Sequence, residues 1–346
     1  MQYPFKNLIF EGGGVKGIAY VGALKVLSEK GVLDQIERVA GTSAGAINAV
    51  LLSLRYTPDE TREVLSQLDF NNFMDDDWGV ARDTKRLLKE YGWYKGDYFR
   101  EWIGGLIARK VGNPDATFSE LKAKGCLDLY LVGTNISTRY SEVFSAEHTP
   151  RTRVADAARI SMSIPLFFTS IKDARGDCFV DGGVLNNYPV KLFDRKKYLT
   201  PALVASHSRE ASYYAEHNQA LVTAGVPVSP YLYNKETLGF RLDSGEEIAV
   251  FRDGAEPAHH HVDHFFDYAW GLISTMMESQ QSQHLHSDDW HRTVYINTLG
   301  VKTTDFDLTD ERKKALAESG EAGTRKYFAW FEDTGSDPAK NHPNID

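Results

Sequence analysis

The chain has 346 residues, 42% of them hydrophobic, which is enough for one large domain or two ordinary ones with a substantial core. A formal net charge of -9 argues against a general affinity for nucleic acid, although an acidic average leaves room for a local membrane-facing patch. Two cysteines, Cys126 and Cys178, make no disulfide framework and read as buried thiols. No signal peptide opens the chain, and no apolar run reaches the ~18 residues of a membrane span. A soluble cytoplasmic protein is expected, with a peripheral membrane role left open.

In chain order, Asn7 to Phe10 reads as a short buried strand running into Gly12-Gly13-Gly14. From Val15 to Lys30, apolar residues at Ile18, Val21, Leu24, Val26 and Leu27 follow helical spacing, and Gly31 is a suitable C-cap. Ile36 to Ala40 predicts a second strand, followed by Gly41-Thr42-Ser43-Ala44-Gly45 and an apolar helix over Ala46–Leu52. Strand, turn and helix twice over is the pattern of a parallel sheet with helices on its faces. Residues 55–120 look helical and more polar. Their aromatics (Trp78, Trp93, Tyr94, Tyr98, Phe99, Trp102) either pack a helical layer or wall an apolar pocket. Asp75-Asp76-Asp77 reads as a solvated turn.

Leu127–Thr134 alternates and predicts a strand, with Val143-Phe144 in its partner. Thr152–Ile160 predicts a short helix that ends before Pro165. Cys178-Phe179-Val180 is a strand delivering Asp181-Gly182-Gly183, and Val184–Pro189 reads as a loop. Residues 206–262 show one clear strand, Thr237–Leu242. Val262–Leu285 predicts a long helix in which Trp270, Leu272, Ile273, Met276 and Met277 form a core or a flexible wall suited to an acyl chain. Thr293–Asn297 is a late strand, and Thr309 caps a helix running to Trp330 and Phe331. With no repeat and no low-complexity linker, one domain over 1–333 is expected. Its motif-bearing core is 5–205, its C-terminal elaboration 206–333, and a polar tail fills 334–346.

Three consecutive glycines remove every Cβ from a turn at a helix start, so its N–H groups can approach an anion. Gly41-Thr42-Ser43-Ala44-Gly45 fits G-x-S-x-G in the strand-to-helix setting that exposes a serine Oγ on a strained turn, with Gly41 and Gly45 allowing the close packing. A serine needs a base. The histidines His148, His207, His284, His286 and His291 do not sit in an evident loop after a buried strand, whereas Asp181 does. A carboxylate has an ordinary pKa of about 3.9, so Asp181 needs a dry site to act as that base. The pieces fit one reaction: Ser43 attacks an acyl carbonyl, Asp181 takes the proton, and the amides of Gly12, Gly13 and Gly14 hold the oxyanion. Each such donor is typically worth about 2.7–4 kcal/mol in the barrier.

At this point the chain resembles the patatin-like phospholipases. Gly12-Gly13-Gly14-Val15-Lys16-Gly17, Gly41-Thr42-Ser43-Ala44-Gly45, Ser163-Ile164-Pro165 and Asp181-Gly182-Gly183 appear in the family's order, and Leu185-Asn186-Asn187-Tyr188-Pro189-Val190 looks like its continuation. The resemblance covers residues 5–200 well and the rest more loosely. It implies a three-layer α/β/α sandwich with a mostly parallel central sheet, and a Ser43–Asp181 dyad without histidine. It also implies hydrolysis of fatty acyl esters of phospholipids or lysophospholipids, with no metal or other cofactor. Lys16 matches the basic position of the glycine motif; it is either a solvated helix residue or a contact to a phosphate head group. Peripheral membrane contact is expected, no nucleic acid, and a homodimer is compatible with the sequence.

Other readings stay open. His259-His260-His261 with Asp263 and His264 resembles a metal tract but lacks a matching ligand set. The turn from Gly12 to Gly17 also matches the dinucleotide spacing G-x-G-x-x-G, with Asp34 or Glu37 as the ribose acid, so a nucleotide- or phosphate-binding protein is the alternative. An esterase with a histidine-containing triad is the mechanistic rival.

Overall fold

The computed structural model describes residues 3–74 and 87–333, except position 88 and stretches within 200–211, 226–228, 246–260, 265–270 and 278–287. Asp75–Asp77, Trp78, His207, His260, Trp270, His284, His286 and the tail from Thr334 therefore lie outside the described residues.

The short apolar runs form one eight-stranded sheet: β1 (Asn7–Phe10), β2 (Arg38–Thr42), β3 (Asp128–Asn135), β4 (Tyr140–Ser145), β5 (Ile171–Lys172), β6 (Cys178–Asp181), β7 (Thr237–Asp243) and β8 (Thr293–Asn297). β8, β7, β1, β2 and β3 lie side by side and parallel, so their carboxyl ends form one rim. That rim is where parallel sheets bind ligands. β4 and β6 run antiparallel to β3, and β5 runs antiparallel to β6. The fold is α/β with a mostly parallel central sheet, as the alternating pattern predicts.

Helices α1 (Tyr20–Glu29), α2 (Ala44–Ser53), α3 (Asp97–Val111), α4 (Val154–Ser161) and α5 (Asp310–Glu332) carry the main core. Alternate strand residues divide between two cores, as a period of two requires. Leu8, Phe10, Val39, Leu129 and Leu131 face the helical core. Ile9, Ala40 and Tyr130 face the other way, against Tyr188, Val190 and Phe193. That second face is thus covered by the segment following β6. Both faces being buried explains why β1 reads as a continuous apolar run rather than an alternating one.

Sequence reading and structure differ in several places. The helix expected from Val15 opens as a 3-10 turn, Gly14–Ala19, before α1 begins. Gly31 follows α1 with φ +68°, as a C-cap glycine should. Val184–Pro189 is not all loop, because Gly183–Asn186 makes one helical turn. Trp93 and Tyr94 lie on a three-residue strand, Gly92–Tyr94, paired with Leu166–Phe168. Cys126 and Cys178 are free thiols, but half-buried rather than buried. Among the described residues no helix is long and apolar enough to cross a membrane.

The sequence also gives no sign of an ion cluster beneath the sheet. Arg292, just before β8, donates to Asp194 Oδ2 at 2.7 Å and to Asp289 Oδ1 at 2.7 Å, with all three side chains buried. This fastens the segment after β6 to β8. Arg292→Ala should strip buried Asp194 of its guanidinium, leave buried Asp289 only the Lys191 ammonium at 3.8 Å, and lower stability by about 3–5 kcal/mol. Urea unfolding checks it; an unchanged midpoint would show that the cluster contributes no stability.

Candidate active site

The register of β3 decides where the site forms. β4 occupies one edge of β3 over Tyr130–Asn135. β2 and β6 therefore share the other edge, pairing Thr42 with Val132 and Asp181 with Gly133. The two strands meet head-on at adjacent rungs. Ser43 is the next residue after Thr42, so the ladder itself delivers the serine and the carboxylate to one spot. The turn after β1 lies beside it, because Phe10 pairs with Gly41.

Ser43 has φ 54° and ψ -124°, a conformation that costs a non-glycine residue about 1–3 kcal/mol. Its neighbours hold it there. A Cβ on Gly45 would approach the Glu11 carbonyl to 2.6 Å, and one on Gly41 would meet the backbone of Gly45 and Ala46. Ser43 N–H donates to Ser161 Oγ at 3.0 Å, and Ser161 Oγ donates to the Val132 carbonyl at 2.6 Å. Thr42 Oγ1 donates to the Asn186 carbonyl at 3.0 Å, tying the elbow to the turn after Asp181.

Asp181 is fully buried. Its N–H donates to the Ser163 carbonyl at 2.8 Å, and its Oδ1 accepts the Gly183 N–H at 2.7 Å. Burial pushes the carboxyl up to about 7, against smaller opposing effects of the Gly183 N–H and the Ser43 hydroxyl. Oδ2 has no partner of ordinary hydrogen-bond geometry, so the serine is within influence of the carboxylate without a formed short bond. Among the described residues no histidine hydrogen-bonds to Ser43 or Asp181. His148, the earliest candidate, instead bonds through Nδ1 to Ser145 Oγ at 2.8 Å.

The glycine turn abuts the serine: a Cβ on Gly12 would stand 2.9 Å from Ser43 Cβ. Gly12 N–H, however, already donates to the Asn187 carbonyl at 3.1 Å. Among the described residues the Gly13 and Gly14 amides have no partner, so the expected set of three anion donors narrows to two. Lys16 is buried in the 3-10 turn rather than solvated, and its Cε stands 3.2 Å from where a Cβ of Gly13 would lie. Asp34 and Glu37 precede β2, at the opposite end of the sheet from the glycine turn, where a ribose acid cannot serve a ligand on that turn.

Three residues contribute in ways the motifs did not declare. Ser161 holds the nucleophile's amide. Asn187 brackets Gly12. Glu11, fully buried, accepts the Leu242 N–H at 2.8 Å and lies beside Arg241 and Asp243; burial pushes its carboxyl up to about 7. A glutamate directly before three glycines was the available signal for the last. A cleft of about 560 Å³ lies elsewhere, lined by Tyr56, Val64, Tyr98, Trp102 and Leu106 among others. None of its lining residues belongs to the site, so Tyr98 and Trp102 wall a different cavity. Among the described residues no group of three or more His, Cys, Asp or Glu side chains is placed to hold a metal ion.

The family model described as patatin-like phospholipase matches residues 8–194. The uncharacterized protein YqhO of Bacillus subtilis is 30% identical over 333 residues, covering 92% of this chain and 97% of its own. A protein named probable lipid hydrolase 463L, from Invertebrate iridescent virus 6, is 29% identical over 54% of this chain and 63% of its own. Among solved structures, VipD from Legionella pneumophila superposes with TM-score 0.61 at 17% identity, over 94% of this chain and 67% of that one, which is a likeness of fold. Since the family model spans more than half of the 346 residues and takes in the glycine turn, the elbow and Asp181, the chain belongs to the patatin-like phospholipases.

Proposed function

We propose that the protein is a serine lipid acyl hydrolase that cleaves fatty acyl esters of phospholipids or lysophospholipids through a Ser43–Asp181 dyad. The observation that carries this is the meeting of Ser43, on its strained turn, with a fully buried carboxyl whose pKa lies near 7. A base of that pKa is half ionised at neutral pH and still strong enough to accept a hydroxyl proton.

Ser43 Oγ attacks the ester carbonyl carbon as Asp181 takes its proton. The carbonyl oxygen becomes an oxyanion held by the amides of Gly13 and Gly14. The C–O bond to the alcohol breaks, Asp181 returns the proton to the leaving oxygen, and the acyl group stays on Ser43. Water then attacks the acyl-serine, giving its proton to Asp181, and collapse of that intermediate releases the fatty acid and restores the serine hydroxyl. Lys16 contacts the head-group phosphate from the start of the same turn.

Membrane contact is proposed through the helical residues 267–269 and 271–277. Tyr268, Leu272 and Met276 are spaced four apart and each about half exposed, while the Met277 methyl lies over Gly183, next to Asp181. An apolar strip of this kind suits a fatty chain. Mass-spectrometric analysis of products from defined phospholipids and lysophospholipids tests the reading. Release of free fatty acid with the matching lyso or deacylated product is expected, and an absence of acyl cleavage from every class would overturn it.

A further inference from the structure

We propose that Asn187 is a positioning residue for the oxyanion hole: it grips Gly12 at both its N–H and its C=O and so fixes the direction of the Gly13 N–H. This rests on the hydrolase reading above. The Asn187 carbonyl accepts the Gly12 N–H at 3.1 Å, and Asn187 Nδ2 donates to the Gly12 carbonyl at 3.2 Å. The peptide joining Gly12 to Gly13 is planar and trans, so its C=O and N–H point to opposite sides. Holding the Gly12 carbonyl on the Asn187 side therefore turns the Gly13 N–H the other way.

Glycine needs such a clamp more than any other residue. Gly12 and Gly13 have no Cβ to restrict φ and ψ, so an ungripped turn would spread the donor over many directions. Oxyanion stabilisation depends on donors already aimed before charge develops. The clamp is itself oriented. Nδ2 also donates to Glu11 Oε1 at 3.4 Å, so the amide nitrogen faces two acceptors and a flipped amide would set oxygen against oxygen. Glu11 is held in turn by the Leu242 N–H of β7 at 2.8 Å. The same short segment carries base and clamp, since Asp181 and Asn187 flank the helical turn Gly183–Asn186. Proton acceptor and anion donors are thus aligned by one piece of backbone.

The test uses Asn187→Asp and Asn187→Ala in the full chain, with the folded active fraction titrated by a fluorophosphonate. Per titrated site, kcat for a soluble acyl ester should fall about 100-fold in both variants, the scale of losing one aimed donor. The inhibition constant of an alkyl trifluoromethyl ketone, whose adduct carries the oxyanion, should rise by the same factor. In Asn187→Ala, KM and the pH midpoint of activity should stay within about threefold and a few tenths of a unit of wild type, because neither substrate contact nor the charge around Asp181 is altered; in Asn187→Asp the added carboxylate, near Asp181 across Gly183, should move the midpoint upward. A merely structural role would lower the titratable fraction and leave kcat per site and the ketone constant unchanged, which would overturn the assignment while leaving the hydrolase reading intact. A wild-type protein inactive on every acyl ester would overturn both.

Discussion

Ser43→Gly should give a protein that is more stable than wild type and has lost acyl hydrolysis by roughly 10⁴-fold or more, the scale of deleting a nucleophile. The two effects share a cause. Ser43 sits at φ 54° and ψ -124°, where glycine is at ease and any side chain is strained. Relief of about 1–3 kcal/mol is offset by the extra freedom glycine has when unfolded, about 0.5–1 kcal/mol, which leaves a net gain of about 1 kcal/mol. Ser43→Ala removes the same hydroxyl and keeps the strain, so it should be equally inactive without the gain. Chemical unfolding of the two variants beside wild type, with fluorophosphonate labelling as the activity readout, separates the claims. A glycine variant no more stable than the alanine variant would remove strain from the account; residual labelling of either would remove Ser43 as the nucleophile.

Asp181→Asn should lower activity by at least about 100-fold and, at pH 8, raise stability. The folded carboxyl has a pKa of about 7 against an ordinary value of 3.8, because burial disfavours its charge. The folded state therefore holds its proton more tightly than the unfolded chain does. Its contribution to stability is complete below pH 3.8 and is lost as pH rises through about 7. By pH 8 the wild type carries a deficit on the order of 4 kcal/mol at this one group. Asparagine is neutral throughout and retains an oxygen for the Gly183 N–H. The variant should match wild type near pH 4 and exceed it by a few kcal/mol at pH 8. Wild-type activity should rise over the same interval as stability falls, since the ionised carboxylate is the base. Parallel stability curves for the two proteins from pH 4 to pH 8 would show that Asp181 is not desolvated.

What the sequence made legible was whatever a short stretch of chain can encode. β1, β2, β6, β7 and β8 were readable as apolar runs with turn residues after them. Gly12–Gly14, Ser43 and Asp181 were each readable as the polar end of such a run, and the register of β3 explains why they converge. Pairings across long separations left no local trace. Asn187 and Glu11 are 176 residues apart, and Arg292 lies 98 residues from Asp194. β5 and the Gly92–Tyr94 strand are too short for any period to declare itself. The 3-10 entry to α1 escaped because helical spacing over Ile18–Leu27 says where apolar side chains recur, not how tightly the first turn is wound. Lys16 shows the same limit: its spacing marks a turn, while its burial comes from what packs upon it.

The neighbour of β1 in the sheet has a consequence for time. β1 is wholly buried, and its outer edge is closed by β7, which pairs Thr237 with Asn7 across 230 residues. At ribosomal speeds of about 5–20 residues per second, the Leu8-Ile9-Phe10 edge waits roughly 10–50 s for its partner to be made. An apolar strand with unpaired N–H and C=O groups invites pairing with another chain while it waits. A fragment ending at residue 194, the limit of the family match, would carry that open edge permanently. The later part of the chain thus acts as a built-in guardian of its first strand, and yield in synthesis depends on how promptly it arrives.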